Sequence, residues 1–341
     1  MNRIPGGRLP EGTCVLDNFG RKLCSQIDST AGSTGDPLNP FGRLNPNFDN
    51  LRVWRNVVDS IYDALQFSVR KQMSHGLQFN AHYTWSHSID GGSTWHSGQT
   101  SANGQAAGDG VTTDQLRPGL DRGNSVFDIR HRLTFNYVWE VPLFYKRTGF
   151  LKAALSGWQL SGIWSFQSGA HWTPFDSRLR SRRFTELVAG ACAPNATGFV
   201  ADPANCLNTG GDYNLDGIPN DRPNAAARNV NASHDQWANG FNLPDNFFTS
   251  PCLGCVGNLG RNTFVGPAFW GADMSVFKDF NFSERMRLQF RAEAFNVFNH
   301  TNFQLPGANF VGNNRINALN FGQAGGTFNP RNLQFGLKLT F

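Results

Sequence analysis

The stretch NLQFGLKLTF, residues 332–341, sets Asn332, Gln334, Gly336, Lys338 and Thr340 against Leu333, Phe335, Leu337, Leu339 and Phe341. This strict alternation is the period-2 signature of a strand with one polar and one apolar face. The stretch stops in mid-strand on an aromatic residue. The apolar face must meet either a protein core or lipid, and the rest of the chain decides which.

Six further segments alternate in the same way: 62–69, 77–86, 132–141, 158–167, 272–277 and 286–294. In 77–86, Leu77, Phe79, Ala81, Tyr83 and Trp85 oppose Gln78, Asn80, His82, Thr84 and Ser86. In 286–294, Met286, Leu288, Phe290 and Ala292 oppose Arg287, Gln289, Arg291 and Glu293. Residues 51–57 form a possible eighth strand with poorer alternation.

The connections discriminate further. Residues 71–76 and 279–285 are short, and 142–157 is intermediate. Between them lie 87–129, 168–269 and 299–331, all long and rich in Gly, Asn, Asp and Ser. Short and long connections alternate, as in a transmembrane barrel with tight periplasmic turns and long outer loops. Tyr83 and Trp85 fall at one end of the strands and Tyr137, Trp139 and Trp158 at the other. Those positions suit two interfacial girdles; a core-facing aromatic stripe in a sandwich is the competing reading.

The polar faces place Arg132, Glu140, Asp273, Arg287, Arg291, Glu293 and Lys338 inward. A narrow barrel must pair such charges tightly, whereas a wide lumen hydrates them. The expected fold is therefore all-β: about seven or eight antiparallel strands of a larger transmembrane barrel, with long extracellular loops. Residues 1–50 read as an N-terminal loop region and 51–341 as the barrel segment.

Composition agrees. Charged residues make up 16% of the 341 and aromatics 13%, with 37 Gly and 17 Pro. The slightly negative mean hydropathy fits a barrel, because half of each strand faces a polar lumen. The net charge of +5 comes without a basic block, which argues against nucleic acid as a partner. Six cysteines fall as Cys14/Cys24, Cys192/Cys206 and Cys252/Cys255. Even numbers in loop-like segments fit disulfides, although Cys252 and Cys255 also have the spacing of half a zinc site. MNRIPGGRLPEGTC, residues 1–14, contains no apolar signal region. The expectation is a chain beginning partway through a longer product.

Several phrases resemble the C-terminal region of TonB-dependent outer-membrane receptors of the Oar-like group. They include DRGNSVFDIRHRLTFNYVWEVP (121–142), SGWQLSGIWSFQSG (156–169), GDYNLDGIPNDRPN (211–224), RLQFRAEAFNVFNHTNF (287–303) and the closing NLQFGLKLTF. The resemblance covers roughly residues 45–341. It implies a 22-stranded barrel with a plug, embedded in outer-membrane lipid and importing a scarce substrate with energy passed through TonB. It also implies that the last strand, through Phe335, Leu337, Leu339 and Phe341, addresses the barrel-assembly machinery. No plug or TonB box is found in these residues, so the chain reads as a C-terminal receptor fragment. A small passive barrel and a secreted β-sandwich binding module are the alternatives.

One loop carries possible ion chemistry. In GDYNLDGIPNDRP (211–223), Asp212, Asn214, Asp216 and Gly217 have the opening spacing of a calcium loop, with Asp221 as a further ligand. Pro223 stands where the bidentate Glu belongs, and an Asx-rich turn is the plainer reading. No cofactor is required. Neither the eight scattered His residues nor any Ser motif assembles a nucleophile, base and orienting group, so no enzyme is expected. Trp95, Trp172, Trp237 and Trp270 lie in or beside outer loops, available for stacking on a sugar ring or for loop packing.

Overall fold

A computed structural model describes residues 14–16, 20, 22–24, 58–93, 113–114, 117–142, 149, 155–174, 213–214, 221–249, 251–252, 254–283, 286–307, 314–316 and 318–341. Strands β1 (Cys14–Leu16) and β2 (Lys22–Cys24) pair with each other. The long strands are β3 (Ile61–Ser74), β4 (Leu77–Asp90), β6 (His131–Glu140), β7 (Trp158–Gln167), β12 (Phe269–Asn281), β13 (Arg287–Phe295) and β14 (Asn332–Thr340). The short β5 (Gly123–Asn124), β8 (His171–Trp172), β9 (Asn224–Ala225), β10 (Phe248–Thr249) and β11 (Phe264–Val265) lie in the long connections. So does the α-helix α1 (His234–Asn239), opened by a Ser233/Gln236 capping box.

The seven long strands form one antiparallel meander in the order β14-β13-β12-β7-β6-β4-β3, with β5 added beside β4. All seven alternating segments are strands. Several extend past their sequence limits, β12 most of all, because ladder pairing continues where alternation fades. Among the described residues the sheet is open, with β3 and β14 at its edges. Residues 51–57 lie outside the described residues.

Register makes the two faces explicit. One row runs Leu77–Trp139–Leu160–Val276–Ala292–Phe335 across six strands. The adjacent row runs Gln78–Val138–Ser161–Ser275–Glu293–Gln334. The apolar halves of the separate strands thus fuse into one continuous face. That face has no protein over it: Phe335 and Leu337 are each 73% exposed and Phe67 is 57% exposed. A soluble sandwich buries such a face under a second sheet, and none of the described residues does so.

The short turns share one end of the meander. At His75-Gly76 both residues are left-handed, with φ of 51° and 74°, as a two-residue hairpin requires. Gly76 is needed there twice over, since a Cβ would also lie 2.8 Å from the Glu140 carbonyl oxygen. The Lys71 ammonium fastens the bulge before this turn through the Ser74 and Leu77 carbonyls at 2.9 and 2.7 Å.

At the opposite end the long connections fold into a cap. The buried apolar cluster of the described residues lies here and not in the sheet: Trp172, Leu259, Phe264, Leu305 and Phe321. Trp172 packs edge-on against Phe264 and Phe241, with centroids 5.3 and 6.3 Å away. The sequence suggested loops; packing of 168–269 against 299–331 makes part of them a second folded layer.

Candidate functional site: the polar face and its cap

The inward-reading charges all lie on the polar face. Arg132 pairs with Thr84 and Gln167 near the cap, and Glu140 with Gln159 at the turn end. Asp273 pairs with Ile163, Arg287 with Thr340, Arg291 with Gly336, Glu293 with Gln334 and Lys338 with Gln289. Arg287 forms an ion pair with Asp279, whose other oxygen accepts from the Gln289 amide at 3.1 Å. Arg291 lies 3.7 Å from Glu293. Both arginines are about half exposed, so the pairs contribute on the order of 0–1 kcal/mol each. Neutral ladders add Asn80 to Asn136 at 3.0 Å and Ser161 with Ser275 at 3.1 Å. The face is built to meet water, not to be packed shut.

Lys278 breaks the pattern. It pairs with Trp158 and Phe290 on the apolar face, at the turn end. Its ammonium is buried, donates to the Ser156 carbonyl at 2.5 Å, and sits over the Trp158 and Phe280 rings at 5.3 and 4.9 Å. Ring faces and a carbonyl replace the lost water.

Where the sheet meets the cap, charge is buried and fully engaged. Asp90 forms an ion pair with Arg261 and accepts from the Ser125 hydroxyl at 2.6 Å. Arg261 also donates to the Asp121 carbonyl at 2.7 Å. The Asp121 carboxylate accepts from Arg222 at 2.7 Å and from the Thr113 N–H at 2.6 Å. Asn262, left-handed at φ 53°, donates its amide to the Asn124 carbonyl at 2.7 Å. Gly123 allows the same approach, because a Cβ there would lie 2.5 Å from the Arg261 carbonyl oxygen. The first and second long connections are joined by this network.

His171 belongs to it. Its Nδ1 lies 3.2 Å from the Asn124 amide nitrogen and its Nε2 3.2 Å from Asp128, which also accepts from the Ser88 N–H at 2.8 Å. Burial pushes the imidazole below its usual pKa, outweighing the opposite pull of Asp128.

Two of the proposed calcium ligands are described. The Asn214 N–H donates to the Asp221 carboxylate at 2.7 Å, and the Asn214 amide donates to the Thr113 carbonyl. Asp221 is fully buried. Asp212 and Asp216 lie outside the described residues, and the two that are seen tie the loop to the Asp121 network. Cys252 and Cys255 are joined as a disulfide, which corrects the zinc alternative: the bonded sulfurs are not thiolate ligands. Cys14 stands opposite Cys24 in the β1–β2 ladder, while Cys192 and Cys206 lie outside the described residues.

Trp172 and Trp237 are buried in cap packing, Trp95 lies outside the described residues, and Trp270 stacks on His300 at 4.2 Å. Phe335, Leu337 and Leu339 project from the apolar face of β14, and Phe341 beyond it is 94% exposed. The capping network and Lys278 escaped sequence reading. Loop charges look the same whether solvated or buried, and Lys278 follows the point where alternation seemed to end.

An apolar sheet face left uncovered by the described residues is the surface that a lipid-facing barrel wall presents. A family model described as outer membrane beta barrel domain matches residues 2–334. The chain belongs to this family. It is an outer-membrane protein whose seven-stranded sheet is barrel wall, the apolar face meeting lipid. No curated protein and no solved structure matches it significantly. In barrels of this kind the short turns are periplasmic and the long connections extracellular; the folded cap is then the outer-facing layer.

Proposed function

We propose that this barrel wall is the C-terminal part of a TonB-dependent receptor, taking part in the uptake of a solute through a wide, plugged lumen. The supporting observation is the open sheet itself. Its apolar face continues across all seven strands, while its polar face carries half-exposed charges. Unpaired edges in hydrocarbon cost several kcal/mol per unsatisfied group. Pairing β3 directly to β14 would force the lumen charges into a narrow interior, so further strands complete the barrel. The phrases resembling the Oar-like group point the same way. On this reading the protein works without catalysis or a required cofactor, and β14 is the strand the assembly machinery recognises.

The test is to isolate the native protein from outer membranes and cross-link it in cells to the energy-coupling protein. The receptor reading expects a polypeptide longer than 37.7 kDa, closed only with additional strands, and cross-linked to TonB. A heat-modifiable monomer of 37.7 kDa that conducts ions in a planar bilayer would instead establish the passive barrel. Calcium in the 211–223 loop is a separate proposal. It predicts a higher unfolding temperature for the cap in calcium than in EDTA, and equal melting removes it.

A further inference from the structure

We propose that the polar face carries, beside the cap, a binding cleft for short zwitterionic peptides with apolar side chains. This deepens the receptor reading, since a solute reaches the cleft only if the polar face lines the lumen.

Alternation calls for polar residues on this face, yet Ile163, Phe269 and Phe295 occupy it together, joined by Phe328 from the last long connection. Ile163 is 53% exposed, Phe328 49% and Phe295 41%. A wall that only touches water gains nothing from such a patch, and patches of this kind mark binding surfaces. The side chains frame a cavity of about 640 Å³, within the range of small-ligand sites. Phe269 and Phe328 meet edge to face at 5.3 Å. Gly271 opens the floor between Phe269 and Asp273: a Cβ there would just touch the Phe269 ring at 3.4 Å. A longer side chain would fill the space without straining the backbone.

Opposite charges flank the apolar walls. Asp273 and Arg331 both line the cavity. One Asp273 oxygen accepts from the Asn296 N–H at 2.8 Å, and Arg331 is held by its backbone N–H on Asn299 at 3.0 Å. Neither side chain forms an ion pair among the described residues. A carboxylate and a guanidinium set around exposed rings complement a molecule with an ammonium, a carboxylate and an apolar body between them. Amino-acid and short-peptide zwitterions have that pattern. A neutral sugar would leave both charges unmatched.

The experiment is calorimetric titration of the full-length protein in detergent with leucyl-phenylalanine, its N-acetyl form, its C-terminal amide, and maltotriose. Saturable binding of the free dipeptide is expected, weakened about tenfold or more by either block. Asp273→Asn should abolish the penalty of acetylation alone, and Arg331→Gln that of amidation alone. Both residues are exposed, so neither change threatens folding. Gly271→Leu should eliminate binding while heat-modifiability is retained. Absence of saturable binding, equal binding of the blocked forms, or preference for maltotriose would overturn the cleft. Energy coupling is read separately by cross-linking to TonB. Binding without coupling removes the receptor and keeps the cleft, and coupling without binding does the reverse.

Discussion

At the scale of single residues, the decisive groups are the buried charges beneath the cap. Asp90 and Arg261 are both almost fully buried and satisfy each other. Removing one partner strands the other in low dielectric. Arg261→Ala is therefore expected to destabilise the cap by about 3–5 kcal/mol, while Asp90→Leu combined with Arg261→Met costs much less. Hydrogen exchange of the cap amides measures both; equal losses would mean that the stranded Asp90 charge is not what destabilises the cap. His171 adds a pH dependence. Its folded pKa is lowered by burial, so its contribution to stability is whole above the ordinary value near 6.5 and is lost as pH falls below it. Protection of the cap amides, measured against their intrinsic exchange rates, should fall as pH drops below about 6.5, and His171→Gln should flatten that fall. None of this was legible in the sequence. Asp90, Arg222 and Arg261 sit in Gly- and Asn-rich stretches indistinguishable from solvated loop, because burial there comes from contacts over a hundred residues apart.

At the scale of elements, the strands were the legible part, since a two-residue period follows directly from the pleat. Arg132, Glu140, Asp273, Arg287, Arg291, Glu293 and Lys338 could be assigned to a single face because a strand admits only two. What alternation could not supply was length and close fit. β12 continues through Lys278, whose charge resembles a strand end until Trp158 and Phe280 are seen covering it. Gly162 looks like a weak point in β7, but its missing side chain accommodates the Tyr137 ring: a Cβ would lie 2.8 Å from it. Gly162→Leu should displace that ring and destabilise the sheet by about 1–3 kcal/mol, read as a lower heat-modification temperature. Leu337→Arg, on the lipid face of β14, should cost about 2–4 kcal/mol if it lies near the bilayer midplane. Lys338→Leu, on the other face, should leave stability nearly unchanged. Equal costs would mean the faces are assigned wrongly.

At the scale of the molecule, a barrel wall and a folded outer layer divide the physical labour. The wall has no core of its own and relies on lipid for its apolar face. The cap supplies the buried cluster around Trp172 and clamps the strand ends. The sequence announced the long connections by length but not their packing, because irregular segments have no period to read. The central claim is that lipid meets one face of the meander and water the other. Spin labels at single introduced positions from Gln334 to Lys338, in proteoliposomes, test it most directly through collision with oxygen and with a water-soluble nickel chelate. The account predicts a period of two, with positions 335 and 337 open to oxygen and 334, 336 and 338 open to nickel. Uniform accessibility along β14, or the opposite phase, would contradict it.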